Sequence, residues 1–451
     1  MAQQIEALAN FVATTRLDDI PAPVRAHAKL VWLDTLGVIL AGHERPEVAA
    51  LRRRLAPAAG GGATVYARGW PAQDPRTAAL LNGIAGRAIE LCEGLRLVSG
   101  QAAMQVLPGV LAVGEQAGSS GAEMLAALIL GYDLAGRLAG GFTPRPLAHQ
   151  NGQVSLLAAA AAGARLRGLD AAGVSLAMRI ATTLVLTPSY TNAVAGATAL
   201  NVAGGMSGFA ASLAPELALA GFAAQEDAVE EALGELVGGG FATGRLTERL
   251  GAEWQITRNY FRLYACCNPI HPALDCLAAA LAELKPRPDE VARIDVTTYR
   301  FASVMRNPDP PNYFASKYSL PHAAAAMVAR GGAGYAALDD SALADPQIAA
   351  LRRKVHIEED PAMSALAPKL RPARVTVTLA DGRSATHARD SHRGDFNDPF
   401  GEDELRAKFR ELAGVALTAE GAAAVEGAVD RIEQWPDIGE LTGLLRHHGR
   451  E

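Results

Sequence analysis

Apolar residues at helical spacing, with alanine in excess, run through almost all of the first 260 residues. That pattern leaves a packed helical array as the main structure open to this part of the chain. The segments 24–41, 77–89, 103–116, 122–138, 154–166, 171–186, 210–220 and 226–237 all carry it. Alanine is the best helix former, and its small side chain lets helix axes approach closely. The breaks at 57–62, 118–121, 140–146 and 238–244 are rich in Gly or Pro, and one short strand is expected, near 64–66.

The pattern changes after about residue 272. A helix over 273–284 leads into a β-branched, period-two stretch at 293–299, and further strands are expected at 354–358, 375–379 and 384–388. Asp381-Gly382 lies between the last two and is the strongest short hairpin signal in the chain. Helices over 321–330 and 346–353 separate the strands, and helical pattern returns at 401–412, 419–428 and 437–447. A chain of 451 residues exceeds one ordinary core, so two domains are expected. The expected fold class is mainly α: a large all-helical domain from residues 1–270 and 400–451, with a smaller α+β domain, 271–399, inserted. Sites often form between two such domains.

A net charge of −6 with scattered basic residues argues against nucleic acid as a partner. The four cysteines make no disulfide framework, and with no CxxC pair no metal site is expected; free thiols in a reducing cytoplasm are the simpler reading. The N-terminal stretch is an amphipathic helix with acids and not a signal peptide. Apolar runs such as 124–132 and 155–164 are too short or too interrupted by Gly to span a bilayer, so the expectation is a soluble cytoplasmic protein without a membrane partner.

The densest run of reactive side chains is Tyr260 to Cys276, YFRLYACCNPIHPALDC, at the change of pattern. Arg262 suits a carboxylate because its planar fork binds one bidentately; a surface arginine is the alternative. His271 titrates near neutrality and can act as acid or base. Tyr264 offers a hydroxyl, and Cys267 is either a reactive thiol or, by preference, a packing residue. His149 follows Pro144 and Pro146 just before a helix, where it either faces a pocket or caps a surface. Glu90 and Glu93 close a helix; that is ordinarily a solvated face, although Ile89 and Leu91 on either side allow Glu90 to point inward. Lys317, Tyr318 and His322 share one turn before a helix, which on its own reads as a cap. Gly204 to Gly208 is not spaced as a nucleophile elbow, so a close helix crossing explains it better than a nucleophilic Ser207. Gly238-Gly239-Gly240 has neither the lysine nor the preceding strand of a phosphate loop and reads as a plain loop.

The order of motifs resembles the MmgE/PrpD family of 2-methylcitrate dehydratases, cis-aconitate decarboxylases and iminodisuccinate epimerases. The resemblance runs nearly end to end: LDTLGVILAG at 33–42, LNGIAGRAIE at 81–90, GYDLAGRL at 131–138, His149 to Gly152, Tyr264 to His271, KYSLP at 317–321 and the KFREL ending at 412. It implies the helical domain with an α+β lid, a homodimer and no organic cofactor. It also shows departures. Arg87 stands where the family has a histidine, Glu90, Cys92 and Glu93 replace an aspartate-rich segment, Gln101 stands for a catalytic histidine, and Ala199 and Arg262 for lysines. His149 and His271 match the family pattern, and some decarboxylase-like members have a histidine near Cys267.

The expectation from these residues is a cofactor-independent lyase or isomerase that abstracts a proton next to a carbonyl or carboxylate. Glutamine moves no proton and alanine neutralises no carboxylate, so the substrate is expected to be a less anionic small carboxylate or carbonyl compound than methylcitrate or cis-aconitate. His149 or His271 would be the acid/base, with Tyr264 and Tyr318 assisting; Arg262, Gln101, Glu90, Lys317 and Cys267 would line the substrate site. The alternative is a silent family member that binds a metabolite or partner without turnover.

Overall fold

Small residues bring the central helices of the protein into backbone contact. The computed structural model describes residues 2–55, 61–95 and 100–450. In it the helix Val202–Leu219 packs against Pro75–Ala88, Ala103–Ala117 and Val154–Leu166. A Cβ on Gly83 would sit 2.6 Å from the Gly204 carbonyl oxygen, and one on Gly163 would sit 1.9 Å from that of Ala211. Either would force the crossing apart, because cores packed this tightly have no slack for an added methyl. The glycine stripe at 204–208 is therefore a helix crossing, with the Ser207 hydroxyl donating to Gln105 Oε1 at 3.0 Å. The helix Ala22–Gly42 packs on Pro75–Ala88 and on Glu402–Ala413, which returns the C-terminal segment to the N-terminal array.

The strands expected late in the chain form a four-stranded mixed sheet. Val291–Thr298 runs parallel to Val355–Glu359 on one side and antiparallel to Ala373–Leu379 on the other, and Ser384–Arg389 completes the sheet. The Asp381-Gly382 signal does make the hairpin: Gly382 has φ +89°, a conformation glycine adopts without strain, and Leu379 N–H donates to Arg383 O at 2.8 Å. The helix His271–Leu284 packs across the last two strands.

Buried apolar side chains gather into two large clusters. One spans Ile5 to Phe261 and continues through Leu405 to Leu445. The other holds Ala265 to Ala385 and draws in Ile89, Leu91, Cys92 and Met104 from the helical array. The chain thus passes between cores in the short stretch from Phe261 to Ala265, and residues 89–92 lie in the second core although their helix belongs to the first.

Four local expectations are corrected. The glycines at 238–240 are not a plain loop: Gly238–Phe241 pairs antiparallel with Phe142–Pro144, and Phe142 lies opposite Phe241. The array therefore holds more than the single strand expected near 64–66, which itself is Ala63–Thr64 paired with Ala72–Gln73. Such two-residue to four-residue pairings join loops far apart in sequence and leave no periodicity to read. The helix expected at 171–186 ends at Ala181 and tightens into a 3₁₀ turn, whereas that expected at 210–220 starts earlier, at Val202. The Gly/Pro break at 57–62 falls partly outside the described residues.

Among the described residues one helix, Gly121–Gly141, is long and apolar enough to cross a membrane, and 89% of its apolar window is buried inside the fold. Its hydrophobicity is used by the core. All four cysteines are buried free thiols.

Candidate functional site

Where residues 89–92 meet the 260–271 strip, a cavity of about 80 Å³ opens between the two cores. It is lined by Arg87, Glu90, Gln101, His149, Tyr190, Tyr260, Arg262, Cys267, Asn268, Pro269, Phe301, Tyr318 and Arg371. The strip that carries five of these residues is neither helix nor sheet until Asn268. It is held by exchanged backbone bonds: Tyr260 N–H to Gly94 O at 2.7 Å, Gly94 N–H to Tyr260 O at 3.0 Å, and Cys267 N–H to Lys317 O at 2.8 Å. Pro269 and Pro272 then set up the 3₁₀ turn and the helix His271–Leu284.

Glu90 organises the cavity wall. It follows the C-cap of Pro75–Ala88 with φ +52°, the left-handed position where helix ends usually place glycine. A glutamate there costs free energy, of order 1 kcal/mol, and four contacts hold it. Arg87 pairs with Oε2, Arg262 donates to Oε1 at 2.5 Å and to the Glu90 carbonyl at 3.1 Å, and the Tyr318 hydroxyl donates to Oε2 at 2.9 Å. Arg87 also donates to the Tyr318 oxygen at 2.7 Å, which closes a buried ring of charge-assisted bonds. Burial alone would push the Glu90 carboxyl up; the Arg87 and Arg262 guanidiniums overcome it and hold the group at about 2.

His149 stacks on Tyr190, with ring centroids 5.6 Å apart and planes 10° apart. Burial, aided by the nearby Arg87 charge, drives its imidazole down to about 3, so it is neutral in the working range. The Asn151 N–H donates to its Nδ1 at 3.2 Å, which leaves the single ring proton on Nε2. Cys267 lies 3.9 Å from the Tyr190 hydroxyl, and burial first, then the Glu90 charge, pushes its thiol up to about 12; it is a wall and not a nucleophile at neutral pH.

The structure thus brings Glu90, Gln101, His149, Arg262, Cys267 and Tyr318 together around one cavity. It does not bring His271, Tyr264 or Lys317 there. His271 donates from Nε2 to the Cys266 carbonyl at 3.0 Å and packs edge-on to Tyr264, with burial and then Arg262 lowering it to about 3. The Tyr264 hydroxyl is spent on Asp275 at 2.9 Å. Lys317 points away, donating to the Leu338 carbonyl at 2.6 Å over the Tyr313 ring, and burial lowers it to about 7. Ala199, one of the noted departures, is exposed and does not line the cavity.

Sequence reasoning missed Tyr190, Asn268, Phe301 and Arg371 as site residues. Tyr260 and Asn268 stood inside the singled-out strip, and Arg87 stood out as a departure from the family pattern. Arg371, which pairs with Asn268 Oδ1, and Phe301 come from the α+β part and have no local signal.

Chemically, the guanidiniums of Arg87, Arg262 and Arg371 line the cavity with one carboxylate, Glu90, and with neutral hydroxyl and imidazole donors between them. That arrangement attracts a small anion and offers protons to charge that develops on it.

Comparison with known proteins gives a consistent picture. Residues 6–238 match the MmgE/PrpD N-terminal domain and residues 264–434 the MmgE/PrpD C-terminal domain. The chain is 25% identical over 480 residues to the cis-aconitate decarboxylase-like protein oryM of Aspergillus oryzae, covering 97% of this chain and 96% of that protein. It is 23% identical over 473 residues to a cis-aconitate decarboxylase of Aspergillus terreus, covering 97% and 95% respectively. Cis-aconitate decarboxylase of Mus musculus is similar over a shorter part, 25% over 142 residues, or 32% of this chain and 29% of that one.

Proposed function

The chain belongs to the MmgE/PrpD family, and from that premise we propose that it is a cofactor-independent lyase or isomerase acting on a small carboxylate next to its carboxyl or carbonyl group. The observation that carries this reading is the Glu90 cavity: the arginine-lined wall and a neutral His149 whose Nε2–H is left over for a ligand. A lyase is favoured by the decarboxylase-like relatives. When a carboxylate leaves or a proton is lost, negative charge builds on the remaining oxygens. Arg262, Arg371 and the His149 Nε2–H are positioned donors for that charge, and a dry, fixed site makes them count for more than they would in water.

The same geometry supports a substrate less anionic than a tricarboxylate. Glu90 already occupies the forks of Arg87 and Arg262. The cavity volume suits a compact acid. As part of this proposal we take the helical domain as residues 1–270 and 400–451, the α+β domain as 271–399 closing the cavity, and the working form as a cytoplasmic homodimer. The passage of the chain between cores from Phe261 to Ala265 supports the first boundary.

The test is turnover of a panel of small mono-, di- and tricarboxylates, followed by proton NMR and carbon dioxide release, for the wild type and for His149→Gln. Turnover of a compact acid that collapses in the variant supports the reading; rates on cis-aconitate like those of a dedicated decarboxylase would overturn the less-anionic substrate. A second reading, binding without turnover, is favoured by one observation: the cavity carboxylate is locked by arginines and the Cys267 thiol is pushed up to about 12, so neither offers a base. Ligand binding with no turnover across the panel would select it.

A further inference from the structure

A buried lysine stands behind the cavity wall, on a segment that does not line the cavity. In the helix Glu402–Ala413, positions 405, 408, 409 and 412 share one inward stripe. Three of them are Leu405, Phe409 and Leu412; the fourth is Lys408, 4% exposed. An ammonium at a core position is costly unless it is paired and its protons are used. Lys408 Nζ donates to Asp34 Oδ1 at 2.5 Å and to the Leu91 carbonyl at 2.8 Å. The helices that carry Lys408 and Asp34 run close together: a Cβ on Gly37 would lie 3.2 Å from the Phe409 ring.

Leu91 follows Glu90 in a stretch, 90–93, that belongs to neither helix nor strand. Its buried backbone groups must be met by side chains instead. Two successive carbonyls are taken by buried cations: that of Glu90 by Arg262 at 3.1 Å and that of Leu91 by Lys408. Beyond them Glu93 accepts from the Ala103 N–H at 2.9 Å and from the Tyr132 hydroxyl, and Gly94 exchanges backbone bonds with Tyr260. A glutamate persists in the left-handed conformation only where its surroundings over-determine it. We infer that Lys408 is a positioning residue of the cavity: by fixing the Leu91 carbonyl it holds the turn at which Glu90 presents its carboxylate to Arg87 and Arg262. It touches no ligand and acts through the backbone after Glu90. The C-terminal segment is thereby part of the site's construction. The consequence for binding rests on the proposed carboxylate site; the anchor itself does not.

Lys408→Met removes the anchor but also strands the Asp34 carboxylate. Lys408→Met combined with Asp34→Asn removes the stranded charge while leaving the Leu91 carbonyl without its donor, so it separates positioning from the ion pair. Amide hydrogen exchange is followed by mass spectrometry on wild type and both variants, together with succinate affinity by titration calorimetry. In the double variant the Gly94 and Tyr260 amides are expected to exchange about tenfold faster or more, while those of the helix Val202–Leu219 change less than about twofold. Succinate affinity is expected to fall about fivefold or more. Wild-type exchange at Gly94 and Tyr260, or an increase spread evenly over the core helix, overturns the anchor and leaves Lys408 as a plain partner of Asp34. Unchanged succinate affinity overturns its role at the site. A wild type that binds no succinate overturns the carboxylate site, and the exchange comparison still decides the anchor. The double variant carries the test by itself if Lys408→Met does not fold.

Discussion

Replacing Glu90 by glutamine is expected to lower stability and raise anion affinity at the same time. The carboxylate is 2% exposed and meets Arg87, Arg262 and Tyr318. Taking its charge away leaves two buried guanidiniums facing a neutral amide, and removing one partner of a buried pair costs about 3–5 kcal/mol. The titration argument agrees: a carboxyl held at about 2 instead of 4.5 is worth on the order of 3 kcal/mol at neutral pH. The sign follows from the folded value lying below the unfolded one. The stabilisation is fully present above about pH 4.5 and is lost as pH falls through the folded value near 2. Urea unfolding of wild type and Glu90→Gln should therefore differ by about 3 kcal/mol at pH 7 and by only about 1 kcal/mol at pH 3. In the same variant the cavity gains one unbalanced positive charge, so a dicarboxylate such as succinate should bind about tenfold more tightly by calorimetry. A stability gap under about 1 kcal/mol at pH 7, or one that does not narrow in acid, would refute the claim that Glu90 is an ionised clamp between the arginines.

His149→Gln keeps a hydrogen-bonding side chain but loses the imidazole; kcat on whatever acid is turned over should fall at least about 100-fold, measured by NMR progress curves. Because His149 is driven to about 3, wild-type kcat/KM should show no imidazole ionisation between about pH 5 and pH 8; a step near pH 6.5 would contradict the neutral donor. His271→Ala removes a buried hydrogen bond to the Cys266 carbonyl and should cost about 1–3 kcal/mol in urea unfolding, with kcat/KM of the folded protein changed less than about threefold; a catalytic collapse would restore His271 to the site. Gly83→Ala places a methyl 2.6 Å from the Gly204 oxygen and should lower stability by about 1–3 kcal/mol, read as a drop in the midpoint of thermal unfolding.

The parts of this protein that sequence could and could not reveal differ in how local their physics is. Helix period, the Asp381-Gly382 turn and the β-branched strand at 293–299 are written in neighbouring residues, and they reappear in the structure with shifted ends. The pairing of Phe142 with Phe241 and the arrival of Arg371 beside Asn268 depend on which distant segments meet, and no nearby residue records that. Side-chain direction was equally hidden. Arg262, His271 and Tyr264 stand within ten residues of one another, yet only Arg262 reaches the cavity: the 3₁₀ turn at Asn268–Ile270 starts a helix that carries His271 against the Tyr264 ring, and the Tyr264 hydroxyl is held by Asp275 on that same helix. Glu90 shows the converse case. Its place after Ile89 reads as the polar end of a helix, and it becomes the centre of the site only because Arg262, 172 residues away, folds back onto it. Arg262 and Arg87 each supply half of a cradle for the same carboxylate, so loss of either would leave Glu90 with one guanidinium and the Tyr318 hydroxyl, and with a higher pKa.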